Sequence, residues 1–142
     1  MGFFSIRRQR PTPGSLSLGD FALRYDRSID GWMHDDMEFW GFREVGITVD
    51  ADEEGVRPHQ VAEYQRLAGA RNELLPRLLE ALQAQETEPA TFVLVGIHVP
   101  RLDGTEAGEL ARFWFDRMGD DHYMYGVESS DRWLTLRAHR DD

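Results

Sequence analysis

GVRPHQVAEYQRLAGARNELLPRLLEAL, residues 55–82, decides the fold. Its apolar residues Val61, Tyr64, Leu67, Ala68, Leu74, Leu75, Leu78 and Leu82 recur at steps of three and four, which lays one apolar stripe along a helix. Glu63, Arg66, Glu73, Arg77 and Glu80 fall mostly on the opposite side, with Glu73 and Arg77 at the acid-first i, i+4 spacing that supports a helix. Pro58 suits the first helical position, where its missing N–H would have no intrahelical partner anyway. Glu53 and Glu54 lie close to the positive end of the helix dipole. Pro76 is the irregularity: it cannot donate to the carbonyl of Asn72, and its ring crowds that carbonyl. The helix either kinks near Asn72 or stops there and restarts with Asn72 as a cap. Because the stripe carries on across the proline, one long kinked helix is expected. A leucine stripe is what a sheet needs to cover an apolar face, so the helix reads as a support beam rather than a partner-binding groove element.

Strand patterns flank it. FALRYD (21–26) alternates, and Asp30-Gly31 supplies turn chemistry. MEFWGFREVGITVDAD (37–52) is aromatic and β-branched, with Gly41 and Gly46 as expected bulges or a sheet bend. After the helix, TFVLVGIHV (91–99) is nearly all apolar, as a strand buried on both faces would be. ELARFWFDR (109–117), HYMYGVE (122–128) and RWLTLRA (132–138) follow at hairpin spacing, a β-meander. The expected fold is α+β: an antiparallel sheet of about six to seven strands ending in a meander, with the helix packed on one face. Residues 1–19, with two prolines and several serines, read as a flexible N-terminal arm, and residues 20–142 as a single domain.

A chain of 142 residues, 41% of them hydrophobic, has room for a core without staples. It has no cysteine, which excludes disulfides and zinc–thiolate sites. No apolar run approaches the length of a membrane span, and MGFFSIRRQRPTPGS lacks the features of a signal peptide, so a cytoplasmic protein is expected. The formal charge is −10, and every basic residue is arginine. Residues 1–19 hold three arginines and no acid, so residues 20–142 carry 13 arginines against 26 acids, or −13. Such a body repels phosphate backbones, which argues against nucleic acid, and attracts a basic protein partner.

Candidate chemistry sits in two clusters, His34-Asp35-Asp36 and Asp120-Asp121-His122. Each sets a histidine beside two carboxylates, a combination that serves metal binding or acid–base work. Consecutive strand residues point to opposite faces, so neither cluster alone converges on one metal, and both fall where turns are expected. A metal-assisted hydrolase would need His34, Asp36, Asp121 and His122 to meet. His98, at the end of an apolar strand, reads as a satisfied core or edge histidine, and His59 as exposed. No nucleophile elbow, Walker loop or dinucleotide fingerprint is present. No enzymatic activity, cofactor or metal is expected. Aromatics are dense and fall on both strand faces, which implies a second covering layer or an exposed patch of the kind interfaces use. Trp32, Asp35, Asp36, Trp114, Asp120, Asp121, His122 and Tyr123 are therefore the candidate binding residues.

The aromatic strand pair with its acidic turn, then Pro58, Gln60, Tyr64 and Leu67 opening the helix, then Asp120-Asp121-His122 between late strands, together resemble a group of small bacterial domains of unknown function. Some members look like immunity proteins of toxin systems. The resemblance spans about residues 37–138; it implies an α+β fold and a binding role, and supplies no catalytic residues. The leading expectation is thus a non-enzymatic acidic binding domain, with a hydrolase or a homo-oligomeric assembly subunit as alternatives.

Overall fold

The computed structural model describes residues 15–18, 21–101, 111–119, 124–129 and 136–141. Strands β1 (Ser15–Leu18), β2 (Phe21–Asp26), β3 (Gly31–Phe39) and β4 (Phe42–Val49) precede helices α1 (Pro58–Ala68) and α2 (Arg71–Gln83). Strands β5 (Phe92–Val99), β6 (Ala111–Arg117), β7 (Met124–Ser129) and β8 (Leu136–Asp141) follow. The architecture is α+β, with all eight strands in one sheet in chain order. The last four strands form the expected meander. The strand number exceeds the expected six or seven partly because Ser15–Leu18, within the stretch read as an arm, pairs with β2.

Every neighbouring pair is antiparallel except β4 and β5, which run parallel and correct the expectation of a wholly antiparallel sheet. The reason lies in the connection. Parallel neighbours need a crossover of a dozen or more residues, usually helical, and the segment containing α1 and α2 is such a crossover.

One long kinked helix is replaced by two helices. The break falls at Gly69 and Ala70, well before Pro76. Glycine is a poor helix former, and the carbonyl of Leu67 is claimed at this point by two donors. The Ala70 N–H lies 3.1 Å away, and the indole Nε1–H of Trp40 reaches in from the β3–β4 turn at 3.0 Å. Pro76 sits inside α2 without ending it. Pro76 and Asn72 are both exposed, so water reaches the side of the helix where the proline removes a hydrogen bond. Asn72 caps nothing, since Ala70 occupies the position before the first helical residue.

The β3–β4 turn is also different from expectation. Trp40 and Gly41 both have positive φ, 55° and 85°, the pattern of a tight two-residue hairpin turn that matches strand twist. Gly41 therefore belongs to the turn, while Gly46 marks a bulge as expected: Asp35 and Asp36 of β3 both stand against it, and on its other side it pairs with Gly96. Register shifts fall between His34 and Met37 and again between Met37 and Phe39, and His34-Asp35-Asp36 is strand rather than turn.

Leu67, Leu74, Leu78 and Leu82 are fully buried and join Val45, Ile47, Leu94, Ile97, Phe113 and Phe115 in one core. At about 1.5–3 kcal/mol for each buried leucine, this stripe is the main link between helices and sheet.

Candidate functional site at the ends of the parallel strands

Two short sequences meet in the middle of the sheet. Gly46-Ile47-Thr48-Val49 and Gly96-Ile97-His98-Val99 pair residue for residue. Strand alternation turns Ile47, Val49, Ile97 and Val99 into the core and leaves Thr48 and His98 side by side on the face away from the helices. The Asp50 N–H donates to the Val99 carbonyl at 2.9 Å and carries the pairing one step further.

Gln60, in the first turn of α1, is buried to 1% exposure and ties these strand ends together. Its amide nitrogen donates to the carbonyls of Asp50 (2.9 Å) and Pro100 (2.8 Å), and its Oε1 accepts from the Arg57 N–H at 2.9 Å. A buried amide engaged at both ends is stabilising where an unpaired one would be costly. It fixes where the helix begins relative to both strands.

Around this junction lies a chain of polar contacts. Thr48 Oγ1 is 2.7 Å from His98 Nδ1. Burial pushes His98 below its ordinary range; the charge of Asp50 opposes this and that of Arg112 adds to it. Arg101 Nε donates to Asp50 Oδ1 at 3.1 Å, and its Nη2 reaches Asp30 Oδ2 at 3.4 Å. The hydrogen bond it donates to Asp50 is the main reason that Arg101 is raised further. Tyr25 Oη donates to Asp30 Oδ1 at 2.6 Å, and that bond, with burial and the charge of Asp30, pushes Tyr25 up to about 12.

Two clefts flank the junction. One, of about 320 Å³, is lined by Ile29, Gly31, Thr48, Val49, Asp50 and His98. The other, of about 220 Å³, lies by the start of α1 and includes Asp52, Arg57, His59 and Arg101. Asp50 lines both. The site offers carboxylate acceptors, a half-buried imidazole and a short aliphatic wall, a set suited to hydrogen-bond donors and cations.

The residues expected to bind are distributed differently. Trp32 is buried at 3% exposure. Its indole donates to the Asp52 carbonyl at 2.8 Å and its ring meets Tyr25 edge-on, so it braces the β4–α1 loop instead of facing solvent as an anchor. Asp35 and Asp36 are exposed on β3, with Asp35 4.0 Å from Arg24. Trp114 is half-buried on the face away from the helices, lying along Gly96, where an added Cβ would come 3.4 Å from the indole. Trp32 and Trp114 thus sit on opposite faces of the sheet and do not form one patch. Asp120, Asp121, His122 and Tyr123 lie outside the described residues.

His34 faces the carbonyl oxygens of Ala22 and Asp36 with its two ring nitrogens, each at 3.0 Å. A carbonyl only accepts, so a neutral ring donates to one of the two and sets its other nitrogen against a carbonyl oxygen. Among the described residues no group of three or more His, Asp or Glu side chains could hold a metal ion.

Thr48, Asp50 and Arg101 are not singled out by the sequence, Gln60 stands out only as part of the resemblance, and His98 reads as structural. One signal was available: a strand–helix–strand order permits a parallel pair, and GITVD beside GIHVP then aligns Thr48 with His98.

Comparison of the chain with protein-family models, with curated proteins and with solved structures found no match. Among the described residues no helix is long and apolar enough to cross a membrane.

Proposed function

We propose that this chain is a non-enzymatic, cytoplasmic binding domain for a basic protein, acting as an immunity protein acts on a toxin. The observation that carries this reading is the gathering of Asp30, Asp50, Asp52, Glu53 and Glu54 from two loops at one end of the sheet. Arg27–Glu53 (3.8 Å) joins the β2–β3 turn to the β4–α1 loop, and Arg101, just after β5, contacts both Asp30 (3.4 Å) and Asp50 (3.1 Å), so these carboxylates form one rim. Ile29, 50% exposed, stands within it. Charged rims steer encounter, and an exposed apolar residue among them supplies contact area on docking. The overall charge of −10 supports a basic partner and disfavours nucleic acid.

The test is kinetic. The protein is used to isolate its partner from native cells, and association of the purified pair is followed as salt is raised. A basic partner whose on-rate falls steeply with salt, and falls again when Asp52 and Glu53 become Asn and Gln, is the expected result. A partner that is acidic, that associates at the same rate at every salt concentration, or that is a second copy of this chain overturns the reading.

A further inference from the structure

The larger cleft has an aliphatic wall and one charged end. Ile29 overhangs it from the β2–β3 turn, Gly31 and Val49 line its side, Val49 with its side chain turned into the core, and Thr48, His98 and Asp50 supply its polar atoms. At about 320 Å³ it stands at the lower limit of small-ligand clefts, which run from about 300 to 1,000 Å³. It therefore admits a group of side-chain size rather than a large cofactor.

The charge at its end is negative. Arg101 is the cation that contacts Asp50, and that one guanidinium is shared with Asp30 on its other side. Two carboxylates thus divide one positive charge. His98 is held toward its neutral form by burial, and Arg112, paired with it across β5 and β6, is a second cation near this end, so the attraction for a cation rests on the Asp50 carboxylate. Thr48 engages Nδ1 of the ring. An alkyl stem ending in a positive charge satisfies both halves of such a cleft: the stem covers apolar surface while the head stays on the carboxylate.

We propose that this cleft is the anchor pocket for an arginine or lysine side chain of the basic partner, with the stem along Ile29 and Gly31 and the cationic head on Asp50. The inference rests on the basic-partner reading above and names the group that reading requires.

The test needs no partner. The ¹⁵N-labelled full chain is titrated with Nα-acetyl-arginine amide and Nα-acetyl-lysine amide, with Nα-acetyl-norleucine amide as the uncharged control. Saturable shifts centred on the backbone amides of Gly31, Thr48, Val49, Asp50 and His98 are expected with the cationic probes only. Asp50→Asn should weaken their binding about tenfold or more, the loss of a charge-assisted contact. Ile29→Arg, which sets a guanidinium of the chain's own at the cleft, should block them with the rest of the spectrum unchanged. Shifts spread over Glu38, Glu53 and Glu54 and undiminished in Asp50→Asn overturn the proposal, as does equal binding of the norleucine probe. The two readings fail separately. Probes that bind as described, beside a partner indifferent to salt, leave the pocket standing and remove the basic partner. A salt-dependent partner with no probe binding removes the pocket alone.

Discussion

Trp40 occupies a backbone conformation that bulky side chains rarely adopt, at φ 55° in the β3–β4 turn. A left-handed residue costs roughly 1–2 kcal/mol, and here burial offsets it. The indole stacks on Phe113 with centroids 5.4 Å apart and donates to the Leu67 carbonyl where α1 ends. Trp40→Phe keeps most of the ring and loses the donor. Because the Ala70 N–H still reaches that carbonyl, the expected loss is only about 0.5–1.5 kcal/mol by urea unfolding. A loss on the scale of an unsatisfied buried group, above about 3 kcal/mol, would show that the indole alone keeps the carbonyl satisfied. Tyr25 gives a second test. Its absorbance should titrate near 12, and Asp30→Asn should bring the midpoint down toward the ordinary 10.0. Its folded value lies above the unfolded one, so its contribution to stability is full below pH 10.0 and is lost as pH rises toward about 12. His98 has the opposite sign. Its folded value is depressed, so its contribution is full above pH 6.5 and is lost as pH falls below it, and His98→Gln should flatten that limb of the stability curve. At this scale the sequence was legible only where identity sets environment. Alternation places Thr48 and His98 on one face, but their meeting depends on a parallel register that no local pattern encodes.

Among the elements, the leucine stripe of residues 55–82 was readable because helical periodicity is a property of the segment itself. The position of the break was not. Pro76 is the stronger local signal, yet the helix parts at Gly69, because a tryptophan from a distant turn competes for the Leu67 carbonyl. The parallel pairing of β4 with β5 escaped for a related reason: apolar alternation is the same in either direction, and only the crossover decides. Since Pro76 interrupts α2 on its exposed side, it is a tolerated defect rather than a hinge. Pro76→Ala should restore one helical hydrogen bond and raise stability, by less than the roughly 3 kcal/mol that separates the two residues in a helix interior, because the unfolded chain also gains freedom. Urea denaturation with an unchanged slope is the measurement. A destabilised variant would show that the helix path past Pro76 is set by the proline and needed by the core.

For the whole molecule, electrostatics opposes compactness. The chain holds 26 acidic residues and 16 basic ones, so repulsion among excess carboxylates acts across the entire body. Attraction is local: Arg101–Asp50 at 3.1 Å, Arg57–Asp52 at 3.5 Å and Arg27–Glu53 at 3.8 Å are partly or largely exposed pairs. Such pairs contribute about 0–1 kcal/mol each. Salt weakens both effects, but not equally. Contacts under 4 Å are much shorter than the Debye length of about 10 Å at 0.1 M, whereas repulsion between the loop rim and acids elsewhere on the sheet acts over longer distances and is screened first. Stability should therefore rise as salt is added to a dilute buffer, by a few tenths to about 1 kcal/mol. Urea is the denaturant for this measurement, since guanidinium chloride is itself a salt. A midpoint that falls with salt would mean that the ion pairs at the ends of β4 and β5 outweigh the net charge. A basic partner adds a further check: once it neutralises the rim, the complex should lose most of the stabilisation by salt that the free chain shows, because the repulsion being screened is already relieved.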